Sequence, residues 1–472
     1  MNKYKRLTIW LPVIIAASIA LGIFIGNHFV QIGKHRGYSY VSGNKINTIL
    51  DIINEQYVDT VNMGELVEGT IPKIFSELDP HSVYIPAEEA SAVNEELEGS
   101  FSGIGVSFNM QTDTILVISV ISGGPAEKAG LLPFDRIITI NDSVYSGNKK
   151  NQNEIMKTLR GAKNSIVKLG VKRGNSPELL YFDVTRGDVP VNSVDVSYPV
   201  RKGIGYIKVS KFGRNTYNEF ITAIAKLKQE KCESFIIDLR GNTGGYMDAA
   251  INMINEFMPE GRLIVYTEGK SFPRSDVYAN GTGTCQDAPI VVLTDEISAS
   301  ASEIFSGAIQ DNDRGTIVGR RTYGKGLVQT QLTLGDGSEM RLTIARYYTP
   351  SGRCIQKSYE MGNLEEYDQD IYNRYLHGEF DSADSIKMDD SMKYQTVGGG
   401  GGIMPDIFIP RDTSGVTSYF SNVINSGVLY LYTLEYSDRH RDQFSKFDNW
   451  EELYKYLQSQ PLLEDFTNFA AT

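Results

Sequence analysis

Residues 289–329 read PIVVLTDEISASASEIFSGAIQDNDRGTIVGRRTYGKGLVQ, and the rest of the chain is organised around them. The apolar run Ile290-Val291-Val292-Leu293, bounded by Pro289 and by Thr294-Asp295, has the pattern of a buried strand. Ala301, Ile304, Phe305, Ala308 and Ile309 then recur at helical spacing, so an amphipathic helix follows. Between the two lies Ser298-Ala299-Ser300-Ala301-Ser302-Glu303. One serine therefore sits where a strand turns into a helix N-terminus, beside backbone N–H groups suited to an oxyanion. Lys325 stands between two glycines, 25 positions after Ser300. The five histidines are His28, His35, His81, His377 and His440, and none lies between His81 and His377. A serine activated within this segment needs a base other than imidazole, and a desolvated lysine is the usual substitute. The plainer reading is that the serines cap a helix and Glu303 completes a capping box. Taken alone that reading is the simpler one; the glycine-flanked lysine and the flanking segments favour chemistry.

The pair of motifs, Ser298 to Glu303 and Gly324-Lys325-Gly326-Leu327-Val328-Gln329, resembles the catalytic segment of the carboxyl-terminal processing proteases. These are the tail-specific serine peptidases of family S41, which use a Ser–Lys dyad. The resemblance implies Ser300 as nucleophile, Lys325 as general base and Gln329 as the residue that orients the lysine. If 325–329 is extended, positions 325, 327 and 329 share a face, so Gln329 is within reach of the amine. Upstream, Phe235-Ile236-Ile237-Asp238-Leu239 reads as a buried strand running into Arg240-Gly241-Asn242-Thr243-Gly244-Gly245. This is similar to the family's D-L-R-x-N-P-G-G, with Thr243 where proline is usual. The resemblance implies an oxyanion hole built from Gly245 (with Gly244 beside it) and Ala301. Glycine suits the task because a backbone without Cβ can approach a substrate carbonyl closely. Asp238 and Arg240 are read as an ion pair that fixes the loop, and Glu303 as a cap; neither is assigned as an acid or base.

Residues 99–187 resemble a PDZ domain. Gly103-Ile104-Gly105-Val106 matches its carboxylate-binding loop, and Gly124-Pro125-Ala126-Glu127-Lys128-Ala129-Gly130-Leu131 matches a second motif of bacterial members. The function this implies is capture of a free, apolar C-terminal tail by backbone N–H groups. Leu78-Asp79-Pro80-His81-Ser82, a helix stop, is similar to the family's L-D-P-H-S and makes His81 structural rather than catalytic. Tyr347 to Arg353 and the GGIMPD run ending at Asp406 match the family's closing segments.

Bulk properties agree. At 472 residues the chain is long enough for two or three domains. A net charge of −12 argues against nucleic acid as a partner. Cys232, Cys285 and Cys354 form no close-spaced set, and no metal or cofactor is suggested. Residues 7–29 contain no Asp, Glu, Lys or Arg, and about 20 such residues suffice to cross a bilayer as a helix. Lys3, Lys5 and Arg6 precede them, which favours a cytoplasmic N-terminus. The rival is a cleaved signal peptide.

The expected architecture is α/β and multidomain. A single-pass signal anchor over 1–30 would place the catalytic domain on the periplasmic or extracytoplasmic side of the inner membrane. A helical region follows over 31–98, then the β-rich α+β PDZ domain over 99–187. A crotonase-like α/β protease core would span 188–410. An acidic insertion at 360–393, ten carboxylates against three bases, is expected to be exposed and partly helical. The helical C-terminal extension, 411–472, is expected to pack on the protease or mediate dimerisation. The expected function is a membrane-anchored serine endopeptidase acting on proteins with apolar C-termini. The alternatives are an anchored PDZ adaptor with a degenerate protease domain, and a crotonase-like acyl-transferring enzyme.

Overall fold

The run from Ile290 is the strand Ile290–Thr294, inside a six-stranded sheet of the computed structural model. The structure describes residues 15–24, 45–382, 385 and 401–471, apart from Thr112, Asn148 and Asn175. The chain divides into two units, Met1–Ile74 and Phe75–Thr472.

In the first unit the described segments are helical: residues 15–24, Lys45–Gln56 and the helix that starts at Met63. The expected membrane-spanning anchor, and the inner-membrane location built on it, are corrected here. Among the described residues no helix is long and apolar enough to cross a membrane. The described part of the apolar run, residues 15–24, would reach only about 15 Å as a helix, half of a hydrocarbon core of about 30 Å. Residues 7–14 and 25–29 of that run lie outside the described residues.

The second unit holds two hydrophobic cores. The six-stranded sheet runs, in spatial order, Val194–Arg201, Ile204–Val209, Ser234–Asp238, Ile290–Thr294, Thr316–Gly319 and Ile407–Phe408. The first pair is antiparallel and every later pair is parallel. Parallel neighbours need crossovers, and the helices Thr216–Gln229, Met247–Asn255 and Ala301–Asp311 lie between these strands in sequence. Their apolar stripes close the core: Phe220, Leu227, Met253, Ile254, Phe305 and Ile309 are all buried with Ile237 and Val292. A second sheet pairs Glu339–Tyr348 with Leu327–Thr333, Val83–Ile85 and Leu263–Glu268. Gly335-Asp336-Gly337 lies in the turn between Leu327–Thr333 and Glu339–Tyr348.

The second core belongs to residues 106–185. Strands Val106–Gln111, Thr114–Val120, Arg136–Ile140, Ile166–Lys172 and Leu180–Thr185 form one antiparallel sheet. Ile115, Val117, Ile137, Val167 and Leu169 are fully buried beneath the helix Gln152–Leu159. The two ends of this module pair with each other, Ser100–Gly103 against Gly187–Pro190, so it leaves and rejoins the chain through one ribbon.

The insertion is partly helical and mostly exposed, as expected, but its helix is anchored at two residues. Its helix, Leu364–Leu376, is not simply exposed, because Tyr367 and Arg374 are buried against the rest of the molecule. The part of the insertion at 386–393 lies outside the described residues. The C-terminal extension is helical through Ser418–Asn425, Val428–Arg439, Arg441–Phe444, Trp450–Gln458 and Leu462–Ala470.

Candidate active site

Ser234–Asp238 and Ile290–Thr294 are adjacent and parallel, so the loops at their carboxyl ends emerge side by side. Hydrogen bonds weld the two loops together. The carbonyl of Asn242 accepts from the Ala299 N–H at 3.0 Å and from the Ser302 hydroxyl at 2.9 Å, and Ser298 Oγ donates to the Leu239 carbonyl at 2.9 Å. Each of these serines is buried, so the serine-rich turn is a fastening as well as a helix start.

Ser300 is the N-cap of Ala301–Asp311 with φ 56° and ψ −113°. A non-glycine residue at positive φ costs of order 1–3 kcal/mol and persists only where its surroundings impose it. Here the surroundings are glycine-tight. A Cβ at Gly244 would lie 2.7 Å from Ser300 Cβ, and one at Gly245 would lie 2.1 Å from the Phe212 carbonyl oxygen. The Gly244 N–H donates to Asn242 Oδ1 at 2.8 Å. Among the described residues, the N–H groups of Gly245 and Ala301 have no protein acceptor.

Glu303 does more than cap. Its fully buried carboxylate accepts four hydrogen bonds: the Ser300 N–H at 2.8 Å, the Lys325 N–H at 2.9 Å, the Gly324 N–H at 2.7 Å and the Thr322 hydroxyl at 2.5 Å. One side chain thus ties the backbone of Ser300 to that of Lys325. Tyr347, also buried, makes a second tie. Its hydroxyl lies 3.0 Å from the Ser300 carbonyl oxygen and also meets that of Lys325, so one proton serves two acceptors. Neither tie was legible in the sequence. Glu303 reads there as an ordinary N3 glutamate, and Tyr347 lies within a recognised segment with no role attached.

A cleft of about 710 Å³ opens above these ties and is lined by Ser300, Lys325, Gln329, Gly244, Gly245 and Arg341. Burial holds the Lys325 amine below its usual value; the Arg341 guanidinium adds to this, while Glu303 and Asp79 oppose it. Burial pushes the Glu303 carboxyl up to about 7, against the pull of its four donors. Gln329 lines the same cleft, but its amide donates to Thr343 Oγ1 at 3.2 Å, and that hydroxyl donates to Asp79 Oδ1 at 2.8 Å. His81 faces Tyr367, with 2.9 Å between Nε2 and the hydroxyl, and burial together with the nearby Lys325 lowers it to about 4. It is neutral near pH 7.

In the module at 106–185 the loop Gly103-Ile104-Gly105-Val106 has a definite aim. Its Ile104 carbonyl accepts from the Ala126 N–H at 2.7 Å and its Gly105 carbonyl from the Ile121 N–H at 2.9 Å. In trans peptides the N–H points opposite its carbonyl, so those of Gly105 and Val106 face away from these bonds. Gly105 takes φ +77°, and the Ile104 side chain is buried in the core, so Ile104 offers only its backbone. Nearby, Arg160 stacks on Phe101 at 4.6 Å and pairs with Glu95 at 2.6 Å.

Comparison with known proteins agrees with this layout. Residues 203–363 match peptidase family S41, 102–184 match the PDZ domain and 30–89 match the activating protease CtpB N-terminal domain. Residues 419–472 match a family of unknown function. The carboxy-terminal-processing protease of Bartonella bacilliformis is 34% identical over 351 residues, covering 71% of this chain and 78% of that protein. The chain belongs to the carboxy-terminal processing proteases of peptidase family S41. CtpA of Bacillus subtilis is 34% identical over 357 residues, 75% of this chain and 76% of its own. CtpB of the same organism is 34% identical over 317 residues, 66% of this chain but 65% of its own, so the chain spans just under two thirds of that relative.

Proposed function

We propose that this chain is a serine endopeptidase that docks substrate C-termini in its PDZ domain and cleaves by a Ser300–Lys325 dyad. The observation that carries the reading is the pair of buried ties, Glu303 and Tyr347, that fix the two residues' backbones to each other across one cleft. A degenerate protease domain has no need of such ties, and they are costly to keep without function, since a buried carboxylate must be fully hydrogen-bonded.

In this reading neutral Lys325 takes the Ser300 Oγ proton as the oxygen attacks the scissile carbonyl. The negative charge that develops on the carbonyl oxygen is held by the N–H groups of Gly245 and Ala301, a donor typically contributing about 3 kcal/mol. Gly244 shapes the loop rather than donating, because its N–H is committed to Asn242. Collapse breaks the C–N bond, and the leaving amine recovers the proton from the Lys325 ammonium. Lysine then deprotonates a water, which attacks the ester and returns Ser300. Burial of Lys325 lowers its value and so favours the neutral amine that the first step requires. Gln329 acts on Lys325 after exchanging its Thr343 bond for one to the amine. The N–H groups of Gly105 and Val106 bind the substrate's terminal carboxylate. Every group invoked comes from one copy of the chain.

The test is cleavage of an unfolded protein ending in an apolar tail, by the full chain and by Ser300→Ala and Lys325→Ala. The reading expects both variants to be silent while Ser300→Ala still binds the tail. Tail binding without cleavage by any form, the wild type included, would instead identify a PDZ adaptor.

A further inference from the structure

The acidic insertion carries three buried polar side chains, Tyr367, Arg374 and Glu379, that brace the segment holding Lys325 directly or through its neighbours. Arg374, only 5% exposed, donates from Nη1 to the Thr322 carbonyl at 3.0 Å and from Nη2 to the Arg321 carbonyl at 2.8 Å. Its Nε donates to Glu379 at 2.9 Å, and Glu379 takes both ends of the Arg321 guanidinium at 2.8 and 2.6 Å. Thr322 in turn donates its hydroxyl to Glu303, the carboxylate that holds the N–H groups of Ser300 and Lys325.

Tyr367, seven residues before Arg374 and on the same face of the helix, makes the second set of contacts. Its hydroxyl meets His81 Nε2 at 2.9 Å and accepts from Gln356 Nε2 at 3.4 Å, while Gln356 Oε1 accepts the Gly326 N–H at 2.8 Å. Lys357 sits between the Tyr323 and Tyr367 rings, 4.1 and 3.9 Å from their centroids, and donates its own N–H to the Gly324 carbonyl at 2.8 Å. The segment from Arg321 to Gly326 is therefore held at nearly every residue by the insertion helix or by side chains that the helix braces.

We propose that the insertion helix Leu364–Leu376 is a positioning element of the active site, with Arg374 and Tyr367 as positioning residues that hold the lysine loop in register with Ser300. A peptide carbonyl left without its buried donor rotates or hydrates, and either movement displaces Lys325. The inference rests on the Ser300–Lys325 reading and adds to it a device outside the motifs that define the dyad. The groups that face Lys325 are Arg341 from the strand Glu339–Tyr348, Glu303 from the helix Ala301–Asp311, and Asp79 and His81 from the turn before Val83–Ile85. Loosening the loop changes the lysine's distance to all four and admits water.

The experiment uses the full chain with Arg374→Met, Arg374→Lys and Tyr367→Phe, measuring kcat, KM and the pH profile of kcat/KM on a tailed substrate, with tail-peptide binding and thermal unfolding alongside. Arg374→Met is expected to lower kcat by about 10- to 100-fold, the scale of a 1 Å misplacement, with KM and tail binding unchanged. Its acid limb moves to higher pH as the lysine becomes wetter, and Arg374→Lys recovers part of the loss. Should Arg374→Met fail to fold, Tyr367→Phe, which removes one hydroxyl and no volume, is expected to lower kcat and move the acid limb in the same direction. A folded Arg374→Met (or Tyr367→Phe) with wild-type kcat and an unmoved profile overturns the proposal. So does a loss of activity that merely tracks the unfolded fraction. Ser300→Ala and Lys325→Ala in the same assay separate the two claims: if either still cleaves, the dyad reading fails; if both are silent and the profiles do not move, only the positioning claim fails.

Discussion

Around Ser300 the decisive contacts are made by backbone. Four groups surround the Glu303 carboxylate, and three of them are backbone N–H groups that can only donate, so a proton there loses at least one of those bonds. Protonation as the pH falls through about 7 therefore weakens a link between Ser300 and Lys325. The lysine, which burial holds below its usual value, also takes up its proton as the pH falls. Activity is expected to fall on the acid side for both reasons. Glu303→Gln keeps the shape but turns an amide donor onto two of those four groups; we expect destabilisation of about 1–3 kcal/mol in urea titration, with most activity lost. Gly245→Ala drives a Cβ against the Phe212 carbonyl and displaces the proposed oxyanion donor, so kcat should drop by about 100-fold or more in steady-state assays. Lys325 carries a stability signature of its own. Its folded value is depressed, so the unfolded chain holds that proton more tightly and the wild type gains stability as pH rises from the folded value towards the free one near 10.5. Lys325→Met removes this cost. The variant should melt higher than wild type near neutral pH, with the gap closing at alkaline pH.

At the level of strands and helices, two neighbouring parallel strands deliver two loops to one place, and Asn242 fastens them. Its side chain donates to the Val209 carbonyl at 2.9 Å and accepts from Gly244, while its carbonyl holds Ala299 and Ser302. Asn242→Ala should cost about 1–3 kcal/mol by denaturant titration and reduce kcat more than KM. The elements themselves were legible in the sequence: Ile290–Thr294 from its apolar run, Ala301–Asp311 from its 3.6-residue period. The insertion was expected to be partly helical and exposed, and what the sequence hid was its two anchors, because the helix's apolar period is nearly silent. Of its thirteen residues only Tyr367 and Arg374 are buried, and an arginine does not register as a core position. Tyr347 escaped assignment for another reason: its segment was recognised, but its hydroxyl acts on residues 47 and 22 positions away, and no local pattern encodes that. The apolar run at 7–29 shows the opposite error, since hydropathy alone suggested a span that no described helix provides.

On the scale of the whole second unit, the PDZ module is tied at both ends by its entry ribbon and on one face by the C-terminal extension. Arg136 pairs with Asp438 at 2.9 Å, and Asp135, fully buried, faces Arg173 at 2.7 Å and Arg441 at 3.6 Å. Asp135→Ala would leave Arg173 without its carboxylate while Arg441 keeps Asp438 at 3.1 Å, and we expect a loss of about 3 kcal/mol in chemical unfolding. The direct test of the central claim is covalent: the full chain is treated with a serine-directed phosphonate and its intact mass is followed with time and pH. The account predicts one adduct, mapped by peptide sequencing to Ser300, absent in Ser300→Ala, and forming faster as pH rises in the wild type but far more slowly in Lys325→Ala. An adduct on another residue, or one that forms on Ser300 equally fast without Lys325, would contradict it.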